Sequence, residues 1–249
     1  MVVALGLVLS LAIGLSLGLF GGGGSILTVP LLHYVFGVAA HDAVSGSLVV
    51  VGTTSLVALI PHARAGRVHW RMGLAFGATS MSAAFAGGRL GALLPGLVLI
   101  VAFAFVMIAA GIAMLVRARR SPRTCAAADI RLPRVLAIGL GVGLVTGTLG
   151  AGGGFMIVPA LALVGGLAIR DAVATSLLVI VLNSFAGFAA TTEHATLDWK
   201  LAAAVTAVAI AGSLVGARVG KRLSACHLQR AFGWFVIAAG ILIAVGELS

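Results

Sequence analysis

Gly21-Gly22-Gly23-Gly24-Ser25-Ile26-Leu27-Thr28-Val29-Pro30 returns 129 residues later as Gly150-Ala151-Gly152-Gly153-Gly154-Phe155-Met156-Ile157-Val158-Pro159. The same shift places Asp42 on Asp171, Ser47 on Ser176, Ser55 on Ser184, Trp70 on Trp199, Arg89 on Arg218 and Gly91 on Gly220, without a gap. The chain is therefore two copies of one unit, roughly 3–116 and 132–245. This divides it into a first repeat over 1–116, a basic linker over 117–134 and a second repeat over 135–249.

Composition decides the solvent. A chain of 249 residues that is 61% hydrophobic and 9% charged has too little polar surface to cover a water-soluble globule. Lipid must cover it instead. The net charge of +10 does not indicate nucleic acid, because the arginines stand in short clusters between apolar runs rather than on one basic face. Residues 1–20 lack a basic start and a small-residue cleavage site, so they read as a retained span. Cys125 and Cys226 lie far apart in arginine-bearing loops and do not suggest a structural disulfide.

A membrane helix needs about 20 apolar residues, and the first copy offers five helical segments: 2–20 (A), 25–40 (B), 43–60 (C), 70–94 (D) and 96–116 (E). The second copy repeats them at 135–149, 154–168, 172–190, 199–221 and 227–246. None alternates as a strand does, and several are apolar all round. The expectation is an all-α polytopic membrane protein of about 8–10 membrane segments, with segment B of each copy short or re-entrant. Asp42 and Asp171 stand one residue before segment C and its copy, where a carboxylate can cap a helix.

Loop charges set the orientation. Arg64, Arg67 and Arg71 lie between C and D; Arg117, Arg119, Arg120, Arg123, Arg131 and Arg134 lie between the copies; Arg218, Lys221, Arg222 and Arg230 follow the second D. With these loops and Arg170 in the cytoplasm, all of the 16 Lys and Arg except Arg89 and Lys200 fall inside. The C–D loop is then inside in one copy and outside in the other. The copies are thus inverted, each crosses an odd number of times, and both chain ends lie outside the cell membrane. Inverted repeats are a common plan of secondary transporters, with substrate near the midplane.

Two sets of residues are candidates for the substrate site. The glycine runs remove every β-carbon and open a helix at Ser25 and at Gly154, whose free N–H groups attract an anion. Gly22, Gly23, Gly24 and Ser25, with Gly152, Gly153 and Gly154, make the first set; tight helix packing is the structural alternative. Segment C supplies the second. Ser47 and Thr54 share a helix face seven residues apart, as do Ser176 and Asn183 in the copy, and Thr175 adjoins them. Bonding across helices or back to the preceding turn is the duller role for these hydroxyls. His33 is the ionisable residue inside a segment, but its counterpart is apolar, which weighs against proton coupling. Arg89 and Arg218 suit snorkelling to the interface. No His, Cys or acidic spacing suggests a metal or cofactor, no strand or Gly-Lys-Ser context supports a nucleotide loop, and no Gly-x-Ser-x-Gly or His-Glu-x-x-His suggests an enzyme.

The paired glycine runs ending in Val-Pro, each followed by Asp-Ala-Val and a Ser (Asp42 to Ser47, Asp171 to Ser176), resemble the sulfite exporter TauE/SafE family of membrane permeases. The resemblance covers nearly the whole chain. It implies transport of small, often sulfur-containing anions such as sulfite or sulfonates, with family motif positions on Gly22, Gly23, Gly24 and Pro30, on Gly152, Gly153, Gly154 and Pro159, and on Ser47, Thr175 and Ser176. The expected partners are a small anion and membrane lipid; a coupling ion (H+ or Na+) and a homo-oligomer stay open. A passive anion channel or a membrane scaffold is the alternative from another class.

Overall fold

The computed structural model describes residues 2–91, 96–120, 132–148, 154–191 and 198–248. Among them every regular element is helical. The order is α1 (Val2–Phe20), α2 (Ser25–Pro30) continuing as the π-helical turn π1 (Leu31–Val35), α3 (Ala40–Arg64), α4 (Trp70–Gly91) and α5 (Gly96–Arg120). The second half repeats it: α6 (Leu132–Thr148), α7 (Gly154–Pro159) with π2 (Ala160–Val164), α8 (Ile169–Thr191), α9 (Trp199–Arg222) and α10 (Ala225–Leu248). By length and composition, Asp42–Arg64, Ile169–Ala189, Trp199–Gly220 and Ala225–Leu242 can each cross a membrane. Leu5–Phe20, Ala104–Val116, Val135–Thr146 and Gly154–Val164 are shorter apolar stretches.

The second segments are shorter than the apolar runs that encode them. Helix α2 and its π turn have 6 and 5 residues, about 16 Å at 1.5 Å per residue, or half the hydrocarbon core. Pro30 and Pro159 cannot donate to the ladder, and beyond each the bonding loosens to the wider spacing, Phe36 N–H to Leu31 O at 3.3 Å and Gly165 N–H to Ala160 O at 2.9 Å. Gly37 (φ 70°) and Gly166 (φ 73°) then stop both segments in the left-handed region. Segment B therefore ends at Val35 rather than at 40, and α1 with α2 forms a hairpin. At one end of it Gly24 packs on Ile13 and Leu17; at the other the Phe36 ring covers Gly6.

Helix α3 starts at Ala40, three residues before the expected boundary. Asp42 accordingly lies inside the first turn and is not the cap; the N-cap is Ala39, which makes no side-chain bond. Asp171 is likewise in the first turn of α8. Both carboxylates still meet the positive end of a helix dipole.

Backbone-level contacts fix the arrangement. Gly14 and Gly18 of α1 meet the carbonyls of Ala209 and Ser213, while Gly212 and Gly216 of α9 meet those of Leu11 and Leu15. Two small-xxx-small faces are thus pressed together, with both helices running the same way. The same holds for α6 and α4, where Gly139 meets Thr79 and Gly143 meets the Ser80 backbone. Helices α3 and α8 run in opposite directions, Gly52 against Ser184 and Leu48 against Gly187. So do α5 and α10, Gly111 against Gly233 and Ala104 against Gly240. Each A helix therefore packs on the D helix of the other copy, and C and E pack on their own counterparts.

The core is Phe76, Phe155, Phe232, Met107 and Met114, all fully buried. The outside carries Phe85, Phe105, Trp234 and Leu242 well exposed, with Trp70 and Trp199 at the starts of α4 and α9. Indole rings at helix ends and apolar side chains between them are the surface a bilayer covers.

Candidate functional site

The first glycine run makes a bend that no other residue type would allow. Gly21 ends α1, donating to Leu17 O at 2.8 Å, and holds φ at 70°. A β-carbon there would also lie 2.7 Å from Val173 O. At Gly22 it would sit 2.1 Å from Gly154 O, and at Gly154 2.5 Å from Ser25 Oγ. The start of α2 and the start of α7 therefore meet, backbone to backbone, through Gly22, Ser25 and Gly154. Ser25 Oγ donates to Gly22 O at 2.7 Å, and Thr28 Oγ1 to Gly24 O at 3.1 Å, so both hydroxyls tie the bend to its own helix. Gly23 is buried beneath the Phe235 ring. Gly152 and Gly153 lie outside the described residues.

The polar residues of segment C divide into three groups. Ser176 joins the bend: its Oγ is 2.8 Å from both Gly21 O and Val173 O. Ser47 donates to Val44 O at 2.7 Å within its own turn. Thr175 faces away from the bend, accepting the His69 N–H at 3.2 Å and tying α8 to the start of α4; Asp171 stands beside it, 3.9 Å from His69 Nε2.

Thr54 and Asn183, which the repeat superposes, share an unusual condition. Thr54 is 1% exposed and its Oγ1 has no hydrogen-bond partner; the buried Oδ1 of Asn183 has none either. Ser55 Oγ, fully buried beside Thr54, is in the same state. These positions flank the crossing where Gly52 meets Ser184. A buried hydroxyl left unpaired costs about 1–3 kcal/mol, a cost that a polar ligand would relieve. The face that holds Asn183 also holds Ser176, two turns away at the glycine bend.

The ionisable candidates fall to ordinary roles. His33 Nδ1 donates to Val38 O at 2.8 Å and its ring meets Tyr34 edge-on, which closes the end of π1. Arg218 is exposed, as a snorkelling side chain is. No cluster of three His, Cys, Asp or Glu occurs among the described residues. Ser55, which the repeat pairs with Ser184, is among the polar residues of segment C but lies off the face shared by Ser47 and Thr54.

Comparison with known proteins agrees with this architecture. The family model described as sulfite exporter TauE/SafE matches residues 6–243. A probable membrane transporter protein of Xylella fastidiosa strain Temecula1 is 36% identical over 239 residues, 93% of this chain and 90% of the relative. One from strain 9a5c is 34% identical over 236 residues, with 93% and 90% covered. The probable membrane transporter protein YdhB of Bacillus subtilis is 26% identical over 234 residues, 93% of this chain and 96% of the relative. No solved structure matches the chain at a significant level.

Proposed function

The chain belongs to the sulfite exporter TauE/SafE family of membrane transporters, and from that premise we propose that it carries small sulfur-containing anions such as sulfite or organosulfonates across the cytoplasmic membrane by alternating access. The observation that carries the reading is the pair Thr54 and Asn183. The Thr54 hydroxyl is buried without a partner and can donate to an oxyanion; Asn183, its counterpart by the repeat, has an unpaired Oδ1 that only accepts, so its NH2 is the group that would face the anion, and Ser176, two turns along the same helix, reaches the bend where Gly22 meets Gly154. Hydroxyl, amide and backbone N–H donors suit an oxyanion and need no buried lysine. The Gly-run amides, Ser25, Ser47, Ser176, Thr54 and Asn183 make up the proposed cradle, with Thr175 supporting it from α8.

The opposed directions of α3 and α8, and of α5 and α10, support the inverted-repeat reading. In that arrangement α2 and α7 are half-spanning helices that start at each other near the midplane and leave toward opposite faces. Loop charges put the ends of the chain outside and the linker inside. The closed contact of Gly22 with Gly154 favours a carrier, occluded in this state, over an open pore.

Proteoliposomes loaded with sulfite or sulfoacetate test the assignment. Asn183→Ala and Gly153→Leu each abolish or sharply slow flux if the cradle is right; flux equal to the unsubstituted protein rejects it. Counterflow separates carrier from channel, since a carrier exchanges labelled for unlabelled substrate faster than it delivers net flux.

A further inference from the structure

Helices α3 and α9 lie side by side and run the same way. Asp42 and Asp198 share a recess at their starts, Val50 and Val205 share a core cluster, and Ile60 and Leu214 line one groove near their ends. That groove has a volume of about 360 Å³, and Val57, Pro61 and Arg64 complete its lining. Four of the five residues are apolar, and the fifth carries a guanidinium at the last residue of α3. Pro61 has no N–H to return to Val57 O, so the ladder of α3 lacks a bond between two residues of the wall. Ile60 is 44% exposed, and the groove opens onto the apolar surface that a bilayer covers.

The groove is polar at one end only. Arg64 stands two turns beyond Val57, about 10 Å along the helix axis, against about 15 Å for the hydrocarbon of one leaflet. Arg218, exposed and one turn beyond Leu214 on α9, is level with Arg64 in this parallel register. Neither guanidinium forms a hydrogen bond or an ion pair among the described residues, and no carboxylate lines the groove. The repeat does not impose the arrangement. Val57, Ile60 and Pro61 superpose on Ala186, Ala189 and Ala190, and Arg64 on Glu193. The second copy thus has smaller side chains along the wall and the opposite charge at its end.

We infer that the groove between the ends of α3 and α9 binds an anionic phospholipid, with its phosphate between Arg64 and Arg218 and an acyl chain along Val57, Ile60 and Leu214. A guanidinium fork takes two oxygens of a phosphate, and basic pockets between helices at a membrane face hold acidic headgroups. The ammonium of a zwitterionic headgroup competes with the guanidiniums for its own phosphate, so neutral lipid fits the wall but not the end. Free phosphate fits the end and leaves the wall unused. A second copy docked here about a twofold axis would set Arg64 and Arg218 against their own counterparts, like charge facing like. In the proposed orientation the lipid belongs to the cytoplasmic leaflet. The assignment does not depend on which solute the protein carries.

Native mass spectrometry tests it. The full-length protein, stripped of lipid in detergent, is titrated with phosphatidylglycerol, with phosphatidylethanolamine of the same chains, or with glycerol phosphate. Phosphatidylglycerol binds about tenfold or more tighter than phosphatidylethanolamine, and Arg64→Gln and Arg218→Gln each remove about fivefold of its affinity. Arg71→Gln, at an exposed position on the same face but off the groove, removes none. Ile60→Trp fills the groove and weakens both lipids with the arginines kept. Equal losses in Arg71→Gln and Arg64→Gln mean diffuse attraction to a basic face and overturn the site. Glycerol phosphate bound as tightly as phosphatidylglycerol overturns it too, as does a lipid-free dimer that Ile60→Trp breaks. In vesicles, a phosphatidylglycerol carrying a diazirine in its acyl chain labels the peptides holding Ile60 and Leu214 ahead of those holding the equally exposed Phe105 and Trp234; labelling spread evenly over all four rejects the proposal.

Discussion

Replacing Gly22 by alanine adds one methyl group, and the structure says where it goes. Its carbon would lie 2.1 Å from the oxygen and 2.7 Å from the carbon of the Gly154 carbonyl. Both obstacles are backbone, so no rotamer change relieves them; the start of α2 must move away from the start of α7 by about 1 Å to restore ordinary van der Waals contact. Overpacking of this kind costs about 1–3 kcal/mol, and at about 2–4 °C per kcal/mol for a chain of this length the Tm falls by about 2–12 °C. Gly141→Ala is the control. Its added carbon meets nothing within 4 Å, in the interior of α6, and alanine there gains about 0.5–1 kcal/mol of helix stability. Thermal unfolding in detergent, followed by loss of monodisperse protein, ranks the three as Gly141→Ala at or above the unsubstituted protein and Gly22→Ala clearly below. Sulfite flux should fall further than stability in Gly22→Ala, because the displaced helix starts belong to the proposed cradle. A Gly22→Ala protein with unchanged Tm and unchanged flux would refute both the contact and the role built on it.

Thr54→Val removes an unpaired hydroxyl at nearly constant volume; unfolding should shift upward by about 1 kcal/mol while flux drops, and a variant that keeps full flux rejects Thr54 as a ligand. Cysteines introduced singly at Ala65 and Thr196, after replacement of Cys125 and Cys226, should react with an impermeant maleimide from opposite sides of the membrane. Reaction from one side would end the inverted-repeat reading. Oxidative cross-linking of Gly52→Cys with Ser184→Cys, whose β-carbons lie 3.0 Å apart before any adjustment, should arrest transport and reduction should restore it.

Much of the fold can be read from residues 21–30 and their copy, because a duplicated unit lets one half check the other. Segment A and helix α1 coincide over 2–20, and the second D helix starts at Trp199 as read. The errors have local causes. Residues 36–40 continue the apolar run, so hydropathy extends segment B through them, whereas Gly37 in the left-handed region stops it. Asp42 resembles an N-cap, yet the chain turns into α3 at Ala39, with ψ of 143°, and draws Asp42 into the first turn. Of the candidate cradle, Gly22, Ser25, Gly154 and Ser176 converge, and Thr54 and Asn183 flank a common crossing. Thr175 instead bonds to the His69 backbone, a partner 106 residues away that no periodicity discloses. Helix pairing was hidden for the same reason. Gly14-x-x-x-Gly18 and Gly212-x-x-x-Gly216 announce two close-packing faces, but nothing in their spacing says that they face each other.

That pairing bears on which parts can move. If alternating access rocked residues 1–116 against 135–249, α1 would have to slide along α9, and α4 along α6. Along both seams glycines rest on carbonyls of the neighbouring backbone: Gly18 on Ser213 and Gly216 on Leu15 in one, Gly143 on Ser80 in the other. Closely interlocked backbones have discrete packings and resist sliding. Under the alternating-access proposal the rigid bodies would therefore each mix the two copies, α1 with α9 and α4 with α6, and the hinge surface would run where α3 crosses α8 and α2 meets α7. A cross-link between Leu19→Cys and Gly220→Cys, within one seam, should leave flux intact, in contrast to the lock across Gly52 and Ser184. Arrest by both links would mean that the seams themselves open, and that the rocking units are the two copies after all.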